Sequence, residues 1–201
     1  FLKNILPFLK KFLPDLPNKR SLHDSPLPKG GGVTFVILTL LSSIFLIISG
    51  EVSFLTTLPI ICFPLAIVGF LDDFYNLNKL IRYVSQITTA ILILSNSEFI
   101  NFISNLTINS KSIILILFTI LITAIINFTN FMDGIDGLVA GCMSCGIFFI
   151  AISKNLPLNY WALIGSMIAF LILNWQPAKL FMGDVGSTYL GAIYAGLSFN
   201  S

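Results

Sequence analysis

The chain has 201 residues, of which 56% are hydrophobic and only 10% charged, with a formal net charge of +2. An ordinary soluble domain carries about 25% charged residues, so there is too little polarity here to cover a water-facing surface, and a disordered chain would show the opposite bias. The small net charge gives no argument for nucleic acid, and three cysteines with one histidine exclude a disulfide scaffold and a His/Cys metal cage.

These proportions predict an all-α, polytopic helical membrane protein forming one integral membrane domain over residues 1–201. The first residue is Phe1 and the last segment stops inside an apolar run, which reads as a fragment of a longer chain. Residues 1–32 form a cytoplasmic or interfacial segment. Within it Leu2, Ile5, Leu6, Leu9, Phe12 and Leu13 fall on one helical stripe with Lys3, Lys10 and Lys11 among them. That pattern fits a basic interfacial helix or the end of an earlier span.

The gaps between charges give the spans, since a bilayer core of about 30 Å needs roughly 20 apolar residues. Lys29 to Glu51 leaves 21 uncharged residues, Glu51 to Asp72 leaves 20, and Arg82 to Glu98 leaves 15. The third gap is extended by Leu80, Ile81 and the aliphatic stem of Arg82. Lys111 to Asp133 leaves 21, Asp136 to Lys154 leaves 17 and Lys154 to Lys179 leaves 24. A seventh run starts after Asp184. The prediction is six complete transmembrane helices plus a truncated seventh. Nine of the eleven basic residues then fall on the side of the N-terminal segment, which puts that segment in the cytoplasm.

Asp72, Asp73, Asp133, Asp136 and Asp184 follow the second, fourth and sixth spans, so all five gather at the cytoplasmic face with His23, Lys29, Lys79, Arg82 and Lys179. Solvated, idle loop carboxylates are the plain alternative. The local sequences argue against it. Asp72 and Asp73 are adjacent at the end of an apolar helix, and Asn127, Asn130, Asp133 and Asp136 stand at strict three-residue spacing. On a helix that spacing shares one face and converges on one ligand. Asp184 lies between glycines at the start of a new span, where free backbone N–H groups favour an anion. Acids at a membrane boundary are costly unless something positive binds them, and oxygen-only donors favour Mg²⁺ or Mn²⁺ over zinc. A hard cation beside basic side chains points to phosphate or diphosphate chemistry on a lipid at the bilayer edge.

Four blocks carry a resemblance: Arg20-Ser-Leu-His-Asp-Ser-Pro-Leu-Pro-Lys-Gly-Gly31, Gly69-Phe-Leu-Asp-Asp73, Asn127 to Gly137, and Phe181-Met-Gly-Asp-Val-Gly-Ser187. In order and in position after the spans, they resemble the polyprenyl-phosphate N-acetylhexosamine-1-phosphate transferases, the glycosyltransferase 4 family. The wording of the first block, and Asn76 where a lysine would stand four residues after Asp72, place it nearer the UDP-N-acetylglucosamine:undecaprenyl-phosphate branch than the phospho-MurNAc-pentapeptide branch.

The resemblance implies Mg²⁺-dependent transfer of N-acetylhexosamine-1-phosphate, with GlcNAc-1-phosphate favoured, from a UDP-N-acetylhexosamine to undecaprenyl phosphate, releasing UMP. That is the first membrane step of cell-envelope polysaccharide synthesis in the bacterial cytoplasmic (inner) membrane, and a homodimer is compatible with it. Carried over by position, Asp184 resembles a metal ligand and Asn130 shares the metal. Asp72 and Asp73 resemble the pair that handles the lipid phosphate. Asp133 and Asp136 match the block near nucleotide and metal. Arg82 faces the diphosphate, Asn127 supports the site as a neighbouring amide, and His23 and Lys29 bind substrate. Relatives also carry a later cytoplasmic His-rich loop, whereas the only histidine here is His23.

Other features read as packing. Cys142 and Cys145 lie in a charge-free span without further ligands, and Pro59 and Pro64 kink the second span. The alternative function is a cation- or proton-coupled transporter using the Asp cluster. It predicts acids near the bilayer midplane and an internal repeat, neither of which the sequence has.

Overall fold

The computed structural model describes residues 2–15, 26–104 and 107–199. The chain is helical almost throughout. In order come α1 (Leu2–Phe12), β1 (Pro14–Asp15), β2 (Leu27–Pro28), α2 (Val33–Ile48), α3 (Phe54–Tyr75), α4 (Lys79–Asn96), α5 (Phe99–Phe102), α6 (Ile108–Met132), α7 (Leu138–Ser153), α8 (Leu158–Asn174) and α9 (Asp184–Ser198). The two short strands pair antiparallel, Pro14 opposite Pro28. Among the described residues they are the one departure from the all-α expectation, where prolines hold both segments extended.

Each charge-free gap became a helix. α3 and α6, with 22 and 25 residues, are long and apolar enough to cross a bilayer, and α2, α7 and α8 are shorter apolar helices. Exposed large side chains such as Phe45, Ile67, Ile116, Leu117 and Phe149 give the bundle a greasy exterior, which is the architecture of a helical membrane protein. Local chemistry sets the ends. A reciprocal Ser53–Thr56 capping box opens α3, and Asn76 closes it in the left-handed conformation at φ 48°. Leu9 in α1 and Leu13 just after it are buried as the stripe predicts, but Phe12 is half exposed and packs against Phe8 with ring centroids 4.6 Å apart.

The helix read as the start of a truncated span is the centre of the molecule. From Val185 to Leu197 every residue of α9 except Tyr194 is buried, packed mainly between α3 and α6. Glycines five residues apart make this possible. A methyl group at Gly186 would sit 2.7 Å from Phe35 Cζ, one at Gly191 2.8 Å from Ile126 Cα, and one at Gly196 2.6 Å from a Leu58 methyl. Small residues let helices approach backbone to backbone where no water drives them together.

The proline in the second span acts differently from a simple kink. Pro59 has no N–H for the Leu55 carbonyl one turn earlier. That carbonyl instead accepts hydrogen bonds from Tyr160 Oη at 2.9 Å and Asn159 Nδ2 at 3.2 Å, so the break in α3 becomes a tie to α8.

Replacing Gly191 with Ala forces α9 off the α6 backbone and should cost about 1 to 3 kcal/mol. Gly141→Ala, where nothing lies within 4 Å, should leave thermal unfolding in detergent unchanged or slightly higher. Equal melting temperatures for the two variants would refute the close-packing account.

Candidate active site

The ends of α3, α4, α6 and α9 meet at one end of the bundle with the loops that lead into α2 and α9. The Lys29–Gly32 segment lies along Phe181–Gly183: Phe181 N donates to Pro28 O, Gly31 N to Phe181 O and Gly32 N to Met182 O, each at 2.9 Å. This close pairing explains the run of glycines, since a methyl group on Gly32 would overlap the Gly186 backbone. It also carries Lys29 to the site, with Nζ 3.6 Å from Asp73 Oδ1.

Asp72 and Asp73 are only 7% and 8% exposed, and buried carboxylates need partners. Asp73 Oδ2 accepts from Val185 N at 3.3 Å, so the anion expected at the start of α9 is this side chain from α3. Gly183 permits that approach: its φ is +77°, and a methyl group there would sit 2.5 Å from Asp73 Oδ2. Asp72 Oδ1 accepts from Leu77 N at 2.7 Å. Its Oδ2 lies 2.8 Å from Arg82 Nη1, while Arg82 Nη2 lies 3.0 Å from Asp184 Oδ2. One guanidinium therefore bridges α3, α4 and α9. The other Asp184 oxygen accepts from Asn130 Nδ2 at 2.8 Å, and the same amide donates to Ser187 Oγ at 3.0 Å.

Asp133, just beyond the end of α6, completes the cluster. Burial of its carboxyl group, followed by repulsion from Asp184 and Asp73, pushes its pKa well above the ordinary carboxylate range. Asp136 is placed elsewhere. α6 ends at Met132, so the three-residue spacing no longer shares a helix face, and Asp136 Oδ2 instead accepts from Ala178 N at 3.0 Å. With Asn174, which accepts from Gly137 N and donates to Leu180 O, it ties the α6–α7 turn to the loop before α9.

Asn127 supports from one turn back. It pairs with Gln86 through two amide hydrogen bonds, 2.7 and 3.2 Å. His23 lies outside the described residues. The site thus unites Lys29, Asp72, Asp73, Arg82, Asn130, Asp133 and Asp184, with Asn127 behind them.

Sequence reasoning alone misses Gln86 and Ser187. The signals for them are that Gln86 is a polar residue four after Arg82 in an apolar stretch and that Ser187 is three after Asp184.

A small cavity is lined by Asp72, Arg82 and Asp184 themselves, and two larger ones lie beside it. A polar cleft of about 200 Å³ is lined by Lys79, Arg82, Tyr83, Gln86 and Asn127. An apolar groove of about 690 Å³ runs between α4 and α6, lined by Ile87, Ile91 and Leu94 on one side and Leu115, Thr119 and Thr123 on the other. Asn127 belongs to both.

Among the described residues, no three His, Cys, Asp or Glu side chains already surround one metal-sized position. The donors present are carboxylate and amide oxygens, which suit a hard cation held by one or two carboxylates with substrate phosphates supplying other ligands.

A model described as glycosyl transferase family 4 matches residues 55–201. A probable undecaprenyl-phosphate N-acetylglucosaminyl 1-phosphate transferase of Bacillus subtilis is 32% identical over 187 residues, covering 88% of this chain and 52% of that protein. A phospho-N-acetylmuramoyl-pentapeptide-transferase of Listeria monocytogenes is 32% identical over 223 residues, 96% of this chain and 68% of that protein. One from Dictyoglomus turgidum is 35% identical over 189 residues, 87% and 59% respectively. The chain therefore spans about half to two thirds of the relatives it matches.

The raised pKa makes a signed prediction. A carboxyl group that holds its proton more tightly folded than unfolded adds nothing to instability at low pH. It destabilises the fold as pH rises above its unfolded value of about 3.9. With chelator present, Asp133→Asn should therefore raise the melting temperature at pH 7, and the gain should shrink as pH falls toward 4. A gain independent of pH, or none, would contradict the enclosed carboxyl group.

Proposed function

This chain belongs to glycosyl transferase family 4, and we propose that the full-length protein transfers N-acetylhexosamine-1-phosphate from a UDP-sugar to undecaprenyl phosphate, releasing UMP. The observation that carries this reading is the meeting of four carboxylates with Arg82 and Lys29 beside an apolar groove. A diphosphate needs the cations, and a prenyl chain needs the groove. The transporter reading finds no support among the relatives.

In the reaction an oxygen of the lipid phosphate attacks the β-phosphorus of the UDP-sugar. The new P–O bond forms as the bond from that phosphorus to the bridging oxygen breaks, and UMP leaves with the electron pair. Arg82 and Lys29 draw the phosphates in and offset their charge. Asp72, at the end of α3 that faces α4, orients the lipid phosphate and takes any proton it still carries. Asp133 and Asp184 face the nucleotide side, with Asn130 fixing Asp184. Asp73 holds the start of α9, and Asp136 holds the loop before it. Mg²⁺, or Mn²⁺, bound by Asp184 and Asn130 would neutralise diphosphate oxygens and ease departure of UMP. The prenyl chain follows the α4–α6 groove into the bilayer.

In this reading α2, α3, α4, α6, α7 and α8 alternate across the bacterial cytoplasmic membrane, with the site on the cytoplasmic side where nine of eleven basic residues fall. The favoured sugar is N-acetylglucosamine, on the wording of the block from Arg20 to Gly31.

UMP release by the full-length protein in detergent should require UDP-N-acetylglucosamine, undecaprenyl phosphate and Mg²⁺ together. Asp184→Asn should lower turnover by about 100-fold or more while the protein still purifies folded. UMP release without the lipid, or full turnover by Asp184→Asn, would overturn this assignment.

A further inference from the structure

The Gln86–Asn127 pair carries more than the packing of two helices. Gln86 is 2% exposed and stands in the apolar stretch of α4. Its Nε2 donates to Asn127 Oδ1 at 3.2 Å and its Oε1 accepts from Asn127 Nδ2 at 2.7 Å. Asn127 Nδ2 also donates to Thr123 O at 2.8 Å, so both of its protons are used. The two amides are thereby locked against rotation, each by the other.

Helical spacing gives the lock its reach. Gln86 follows Arg82 by four residues, so both lie on one face of α4, and Asn127 precedes Asn130 by three on one face of α6. One turn from the lock, Arg82 and Asn130 therefore grip the two oxygens of Asp184. On its other side α4 and α6 part to form the apolar groove, whose wall includes Asn127. Both amides line the polar cleft with Lys79, Arg82 and Tyr83. The pair sits where a lipid's charged head would meet its tail.

We propose that Gln86 is a positioning residue for the acceptor lipid. By fixing the Asn127 amide it sets the spacing of α4 and α6 at the head of the groove, and so aligns a prenyl phosphate with Arg82. The proposal rests on the transferase reading of the site. A residue that merely glued two helices would affect both substrates and stability alike, whereas this one borders the groove through Asn127 and meets Asp184 only at one remove, so its loss falls first on the acceptor.

The test uses the full-length protein with Gln86→Ala, Asn127→Ala, the double variant and the exchanged pair Gln86→Asn/Asn127→Gln. Gln86→Met, which keeps the volume without the polar atoms, replaces Gln86→Ala if the latter does not fold. Loss of the lock should raise KM for undecaprenyl phosphate about tenfold and leave KM for the UDP-sugar within about twofold. The double variant should be no worse than the singles, because two members of one unit are not additive. The exchanged pair should recover most of the loss. Equal rises in both KM values, or additive losses in the double variant, would overturn the proposal.

Undecaprenyl phosphate binding without turnover, titrated by native mass spectrometry, separates the two layers of argument. If the unaltered protein releases no UMP, the transferase reading fails, yet about tenfold weaker lipid binding by Gln86→Ala still supports the positioning role. If the unaltered protein turns over and Gln86→Ala binds lipid as tightly, the positioning role alone fails.

Discussion

One guanidinium group holds the site of this molecule together. Arg82 reaches Asp72 on α3 with one nitrogen and Asp184 on α9 with another, in a place where Asp73 and Asp133 add two more carboxyl groups. Acids enclosed this closely repel one another, and the repulsion grows as water is excluded. Arg82, Lys29, the Asn130 amide and the first N–H groups of α9 are the counterweights. Apolar residues would often fill the same space at no greater cost, and in the proposed reaction the cluster is matched to a cation and to phosphates.

The rest of the fold delivers Asp184 to that point. α9 must run through the middle of the bundle, and glycines at 186, 191 and 196 let α2, α6 and α3 close around it. Gly69 does the same beside the Asp pair, where a methyl group would sit 2.5 Å from the Asp184 carbonyl oxygen. The strap from Pro28 to Gly32 and the ties made by Asp136 and Asn174 fix the loop that leads into α9.

Much of this was legible in the sequence, because charge is so scarce that each charged residue marks a boundary. The gaps match α2, α3, α4, α6, α7 and α8, and of the five acids read onto one face the structure brings together Asp72, Asp73, Asp133 and Asp184 but not Asp136. What stayed hidden depends on where helices stop and what they touch. Asp136 continues the spacing of Asn127, Asn130 and Asp133, but α6 ends at Met132 and turns through Gly134 and Gly137. The central place of α9 lay in a five-residue glycine spacing that matters only once three neighbours are known. Pro59 reads as a kink, yet its lost hydrogen bond became the α3–α8 tie. Asn76 read as a clue to the sugar also has a backbone reason, since asparagine tolerates the left-handed turn that closes α3.

The proposed reaction is distinguished from plain sugar transfer by the bond that breaks. Sugar-1-phosphate transfer cleaves the diphosphate, whereas plain sugar transfer leaves it intact. The most direct measurement follows the β-phosphorus. With UDP-N-acetylglucosamine carrying ³²P at the β position, the full-length protein and undecaprenyl phosphate, the label should move into the lipid as UMP appears. Label retained in water-soluble UDP, with an unlabelled glycolipid formed, would contradict the account.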